Sequence, residues 1–163
     1  MNQEEIEMEF RNMYWFLSNM FPCQVTIGLE TGVYTFTCAE AAFQACKNPN
    51  EVQQFLNVDG FEAKKRGRKV SINKAAWDAC KDQCMELVVQ AKFDQNPELM
   101  QKLLTVKGEI IEENRWGDKY WGMCQKLDHV EEQSRRPVYV LEGENKLGKI
   151  LMKIRDANLQ LQS

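Results

Sequence analysis

Histidine is almost missing from this chain: His129 is the only one in 163 residues. Cysteine is not scarce, but Cys23, Cys38, Cys46, Cys80, Cys84 and Cys124 are scattered and form no CxxC pair. This count argues against a zinc centre and against a Cys–His catalytic pair, and no metal or cofactor is expected. No apolar run nears the ~20 residues of a bilayer-crossing helix, so no membrane partner is expected. The phosphate-cradling patterns GxxxxGK[ST] and GxGxxG do not occur. Positive charge is also in deficit. A net charge of −3 argues against a broad nucleic-acid-binding face. Repeats, low-complexity stretches and Ser/Gly-rich linkers are lacking, which predicts one domain over residues 1–163. The acidic opening "MNQEEIEMEF" has no basic-then-apolar pattern, so the expectation is a cytoplasmic chain with reduced thiols.

What is present is well punctuated. "CQVTIGLETGVYTFT", residues 23–37, carries two β-branched and aromatic runs around a Gly-containing turn, which predicts a hairpin. The remainder reads as mainly helical. Asn48-Pro49 and Asn96-Pro97 each place a capping residue before a proline at the first helical position. Asp59 or Gly60 opens a helix, and Asn73 caps the longest one, in which Trp77, Cys80, Cys84, Leu87, Val88 and Ala91 predict the core face. "EIIEEN" and "RPVYVLEG" are strand candidates, and residues 126–137 read as a surface connection. A last helix is expected from about Asn145 to Asn158. The predicted class is α+β, a mainly helical domain packed around a small β-sheet.

Four segments have the residue types for chemistry. "AEAAFQACK", residues 39–47, predicts a helix with an apolar stripe of Ala39, Ala42, Phe43 and Cys46. Glu40, Gln44 and Lys47 fall at i, i+4 and i+7, so a carboxylate, an amide and an amine share one edge. On a regular helix Glu40 and Lys47 would stand about 10.5 Å apart along the axis, which suits a sugar lodged between them. "YWFLSNMFPC" sets Ser18 and Asn19 in a turn amid aromatics, either a pocket lining or a core segment. "ENRWGDKYWG" gathers Trp116, Asp118 and Trp121 around Gly117 and Gly122, a composition that favours a functional loop with flat faces for a base or sugar. In "GENKLGK", Asn145 starts a helix, whose N–H groups suit an anion but equally suit a well-capped helix. The basic run "AKKRGRK" reads either as a solvated helix end with Gly67 as its stop or as a phosphate clamp.

Taken in order, "FLSNMFPC", "YTFTCAEAAFQACK", "AKKRGRKV", "WD" at 77–78, "AKFDQNPELMQKLL", "ENRWGDKYWG" and "NKLGKILMKIR" resemble the NADAR superfamily over roughly residues 10 to 156. Many members carry a histidine directly after the helix glutamate, where this chain has Ala41, and "LLTVKG" stands where Leu-Leu-Ala-Thr-Gly is common. The resemblance implies an N-glycosidase that hydrolyses a ribose C1–N bond. Its implied substrates are ADP-ribose on a nucleobase such as guanine in nucleic acid, or phosphorylated ribosylaminopyrimidine intermediates of riboflavin synthesis. A binding module that holds ADP-ribose without turnover is the alternative of another class. Within the resemblance Glu40, Lys47 and Asp118 are the catalytic candidates. Glu40 would stabilise charge at C1 and direct water. Lys47 would act either as a fixed cation or as a Schiff-base amine, and Asp118 would orient Lys47 or bind a ribose hydroxyl. Asn19 and Gln44 would contact sugar or base, Lys64 and Arg68 phosphate, Trp116 and Trp121 the base, and Asn145 an anion.

Overall fold

A computed structural model describes residues 12–162; the acidic start, residues 1–10, lies outside them. The described chain divides into two compact units, Trp15–Thr105 and a second that joins residues 12–14 with the chain from Val106 onward. The class is α+β, with the strands in two separate two-stranded hairpins.

A 3₁₀ segment over Asn12–Leu17 runs into Trp15–Thr105, where β1 (Val25–Leu29) and β2 (Gly32–Phe36) follow. The two strands pair antiparallel, Val25 with Phe36 and Leu29 with Gly32, as the sequence predicts. Gln95 acts as a stand-in for a third strand: its Oε1 accepts from Thr26 N at 2.7 Å and its Nε2 donates to Thr26 O at 2.8 Å. Helix α1 (Ala39–Ala45) follows, then a 3₁₀ stretch Pro49–Phe55, α2 (Gly60–Gly67), α3 (Lys74–Gln95) and α4 (Pro97–Thr105). The caps fall where short polar side chains were expected. Asn48 accepts from Asn50 N, Asp59 from Glu62 N and Asn73 from Ala76 N, each satisfying a donor that the helix start leaves without a partner. Helix α1 packs against both α2 and α3.

The buried face of α3 differs from the expected one. Met85, Val88, Val89, Lys92 and Phe93 are buried, whereas Leu87 is 52% exposed and Trp77, Cys80, Cys84 and Ala91 are only partly covered. Two stripes of three-four spacing overlap at Val88, and the one containing a lysine is the one that faces the core.

In the second unit, β3 (Cys124–Val130) and β4 (Pro137–Glu142) pair antiparallel with an irregularity between Leu127 and His129. Residues 126–137 are therefore most of a hairpin rather than a mere connection. Its β3 strand is exposed from Gln125 onward, so no in–out alternation was written into the sequence. "EIIEEN" makes only an isolated bridge, Glu113 to Met123, and the adjacent Ile110 and Ile111 are both buried, which a regular half-buried strand does not allow. Helix α5 (Lys146–Leu161) buries Leu147, Leu151 and Ile154. Arg155 of α5 ties the unit's first turn, donating through Nη1 to Val106 O at 3.0 Å and Gly108 O at 2.6 Å.

Candidate functional site

Helix α1 carries two of the first unit's candidate residues, Glu40 and Gln44. Every one of its seven residues is buried, including Glu40 at 8% exposure and Gln44 at 6%. Polar side chains are rarely buried at this level without a defined partner. Gln44 Nε2 donates to Glu40 Oε1 at 2.8 Å, the i, i+4 geometry anticipated from the spacing. Glu40 lies in the first turn, where the helix dipole favours a carboxylate, and its backbone N–H donates to Asn19 O at 2.9 Å. That bond joins the Ser18–Asn19 turn to the start of α1.

The helix stops sooner than the sequence suggested. It ends at Ala45, with Cys46 as its cap, so Lys47 lies beyond it in a turn whose N–H reaches Gln44 O at 3.2 Å. Glu40 and Gln44 remain on one edge, while Lys47 is aimed by that turn and donates through Nζ to Gly67 O at 3.2 Å. Burial holds the Lys47 amine below the usual lysine range; the Glu40 carboxylate opposes that shift and the Arg68 guanidinium adds to it. Glu40 and Arg68 thus both act electrostatically on Lys47.

Gly67 has a different purpose from a helix stop. It is the last residue of α2, Arg68 continues in right-handed helical geometry, and a Cβ at position 67 would run into the Gln44 side-chain amide. Glycine is what lets α2 approach α1 closely enough for Lys47 to reach the Gly67 carbonyl. Of the basic cluster, Arg66 is committed locally, to Glu62 Oε1 at 2.9 Å and to Gln54 O at 2.8 Å. Lys64 is partly buried, whereas Arg68 is exposed.

Asn19 is 7% exposed and donates through Nδ2 to Met85 Sδ at 3.3 Å. Its Oδ1, like Gln44 Oε1, is buried with no hydrogen-bond partner in the structure. A buried acceptor costs about 1–3 kcal/mol when unpaired. Sequence reasoning missed Lys92. It is fully buried and donates to Phe16 O at 2.6 Å and Ser18 O at 2.9 Å, fixing the backbone of the turn that carries Asn19. Burial lowers its pKa to about 8, against the pull of Cys23 and Cys38. The available signal was a lysine on the same helical face as Met85, Val88 and Val89.

The second unit holds Trp116, Asp118, Trp121 and Asn145. The loop around them is built by its own side chains. Asn114 Nδ2 donates to Asp118 O at 2.7 Å and its Oδ1 accepts from Asp118 N at 2.9 Å. Asp118 Oδ1 accepts from the N–H groups of Tyr120 at 3.0 Å and Trp121 at 2.9 Å. Gly117 has φ +88°, and Gly122 allows close approach to the Glu112 carbonyl. Trp116 is 61% exposed, while Trp121 is partly buried edge-on against Tyr120, centroids 4.7 Å apart. Asn145 is buried; it accepts from Glu112 N at 3.0 Å and donates to Ile110 O at 2.9 Å. The N–H groups that open α5 have partners too, Lys146 with Tyr120 O and Leu147 with Trp121 O.

Among the described residues no group of three His, Cys, Asp or Glu side chains is arranged to hold a metal ion, and no helix is long and apolar enough to cross a membrane.

The chain is 37% identical over 98 residues to a curated N-glycosidase of Acanthamoeba polyphaga mimivirus, a match covering 58% of this chain. The matched part is 54% of that relative, so the chain spans about half of its length. The solved NMR structure of the E. coli protein YbiA superposes with a TM-score of 0.68 at 24% identity, covering 94% of this chain and 83% of that one. At that identity the likeness is one of fold. The NADAR domain matches residues 7–159, nearly the whole sequence, and the chain belongs to the NADAR domain family.

Proposed function

We propose that this protein is an N-glycosidase that hydrolyses a ribose C1–N bond, releasing ADP-ribose from an ADP-ribosylated nucleobase, guanine in nucleic acid. The observation that carries the reading is Glu40, a carboxylate in a wholly buried helix, held by Gln44 and acting electrostatically on a half-buried lysine. Breaking the C1–N bond builds positive charge on C1 and the ring oxygen. A desolvated, pre-oriented carboxylate stabilises that charge far more than one in water. Glu40 takes a proton from the attacking water as the C1–O bond forms and the C1–N bond breaks; the base departs with the bond's electron pair and takes up a proton from solvent, to which Glu40 returns its own. The N-glycosidase relative and the NADAR assignment support the reaction class.

Lys47 has the second role. It serves either as a fixed cation for the phosphates or as an amine that attacks the opened sugar; burial lowers its pKa, the Glu40 carboxylate opposes that and Arg68 adds to it. Arg68 and Lys64 supply the cations for the phosphates of ADP-ribose. A small phosphorylated ribosylaminopyrimidine would use the same carboxylate and cations, but it carries another base and a single phosphate in place of the ADP group.

The test offers the purified chain a guanine-ADP-ribosylated oligonucleotide and, separately, a ribosylaminopyrimidine phosphate, with released sugar and base followed by mass spectrometry. Turnover of the oligonucleotide supports the proposal. Cleavage of the small substrate alone moves the activity to metabolism, and binding of ADP-ribose with neither substrate cleaved leaves a binding module.

A further inference from the structure

Helix α2 has a flank that neither its packing nor the catalytic reading uses. Its inner side is made of Gly60, Ala63 and Gly67, all buried. A Cβ at Gly60 would run into Met20, which follows Asn19, and one at Gly67 into the Gln44 side chain. The helix therefore lies along the candidate site, from the Asn19 turn at its start to Gln44 and Lys47 at its end. One flank is occupied by Arg66, which reaches Gln54 O at 2.8 Å and Glu62 Oε1 at 2.9 Å. The other carries Phe61, Lys65 and Arg68 at i, i+4 and i+7, one stripe about 10 Å long. Phe61 is 70% exposed, and Lys65 and Arg68 are exposed beside it.

A single exposed apolar residue is ordinary on a protein surface. Phe61 differs in what stands beside it. Residues 64–69 hold five cations, and Glu62, the only carboxylate within α2, is paired with Arg66. Among the described residues neither Lys65 nor Arg68 is in a salt bridge. A chain of net charge −3 thus gathers positive charge on this one element. An aromatic face in line with cations fits a polyanion that also has flat apolar faces. Single-stranded nucleic acid is that ligand, since its bases stack on the ring while its phosphates meet the cations. In a duplex the base faces are already stacked on one another and leave the ring nothing to cover. At 3.4 Å per nucleotide of a stacked strand, the stripe spans roughly three nucleotides. Its Arg68 end adjoins the candidate site, because Gly67 O accepts from Lys47 Nζ at 3.2 Å.

We propose that this flank of α2 binds the single strand next to the modified base, with Phe61 stacked on a neighbouring base and Lys65 on the phosphate between that base and the reacting nucleotide. Arg68 remains with the phosphates of ADP-ribose. Binding tolerates sequence, because every base has a face to stack. The proposal rests on the reading that the substrate is nucleic acid, and it adds the surface that makes a strand a better substrate than a free nucleoside.

The full chain is titrated into a short, unmodified, fluorescein-labelled single strand, with binding read by fluorescence anisotropy over a series of salt concentrations. The parent should bind this strand in preference to the same sequence as a duplex. Phe61→Ala should weaken binding roughly 5- to 150-fold, the loss of one stacked base, and Phe61→Trp should keep it. Lys65→Ala should flatten the slope of log affinity against log salt by about 0.7. Both side chains stand in solvent, so the variants should melt with the parent. Parent-like binding by Phe61→Ala overturns the proposal, as does a parent that leaves the strand unbound at low salt. A parent dimer that dissociates in Phe61→Ala gives the flank to a second copy and overturns it too. Cleavage separates the proposal from its premise. On the ADP-ribosylated oligonucleotide Phe61→Ala should be slower than the parent, and on ADP-ribosylated guanosine the two should match. If both proteins cleave the oligonucleotide equally well, this surface falls and the glycosidase reading stands. If neither cleaves it while strand binding depends on Phe61, the glycosidase reading falls and the surface stands.

Discussion

Replacing Gly67 with alanine tests the close approach of α1 and α2 on which the site depends. Helix propensity alone says that Gly67→Ala stabilises, by about 1 kcal/mol. The structure says the opposite, because the new Cβ collides with the buried Gln44 amide. Overpacking of this kind costs roughly 1–3 kcal/mol. Moving Gln44 aside also breaks its bond to Glu40, about 1–3 kcal/mol more for a buried side-chain pair. The opposing terms leave a net loss of about 1–5 kcal/mol, and each 1 kcal/mol lowers Tm by about 2–4 °C in a chain of this size. Thermal melts of the parent, Gly67→Ala, Gln44→Ala and the double variant form a cycle. Truncating Gln44 should relieve most of the Gly67→Ala penalty, giving a coupling within the 0.5–3 kcal/mol range of neighbours in contact, roughly. A Gly67→Ala protein that melts at or above the parent, with no coupling to position 44, would refute the reasoning.

Other consequences follow from the remaining polar groups. Lys47→Arg keeps the charge but removes the titratable amine, so it should lower kcat at least about 100-fold if Lys47 reacts as a nucleophile; a near-parental rate would assign it the fixed-cation role instead. The parent rate should rise with pH as the Lys47 amine, depressed by burial, loses its proton. Lys92 has a folded pKa near 8 against an ordinary 10.5, so between those values the unfolded chain binds more protons and this group makes stability rise with pH. Urea titrations at several pH values should show that component vanish in Lys92→Met. Asp118→Asn retains an oxygen for the Tyr120 and Trp121 N–H groups and should leave the loop intact, so a large loss of turnover in that variant would mark the carboxylate itself as catalytic.

Local chemistry was legible wherever one residue decides the outcome. Asn48, Asp59 and Asn73 cap helices because a short polar side chain at the right place is sufficient. The edge of Glu40 and Gln44 was legible because so apolar a helix makes two polar residues conspicuous. Lys47 was less so: the spacing assumed two more helical residues than α1 has. The face of α3 was hidden by a residue that breaks the polarity rule, since Lys92 goes inside to meet two carbonyls that are 74 and 76 residues away in sequence. The exposed β3–β4 hairpin left no burial pattern to read. The need for glycine at position 67 is a tertiary clash with Gln44, which no local signal encodes.

The most direct test of the central claim is the rate of C1–N cleavage by the parent and by Glu40→Gln, compared on the guanine-ADP-ribosylated oligonucleotide under single-turnover conditions. The variant is close to isosteric and still able to pair with Gln44, so its fold and its binding of ADP-ribose should persist. The account predicts turnover by the parent and a loss of about 10²-fold or more in the variant. Equal rates in the two proteins, or an intact substrate recovered from both, would contradict it.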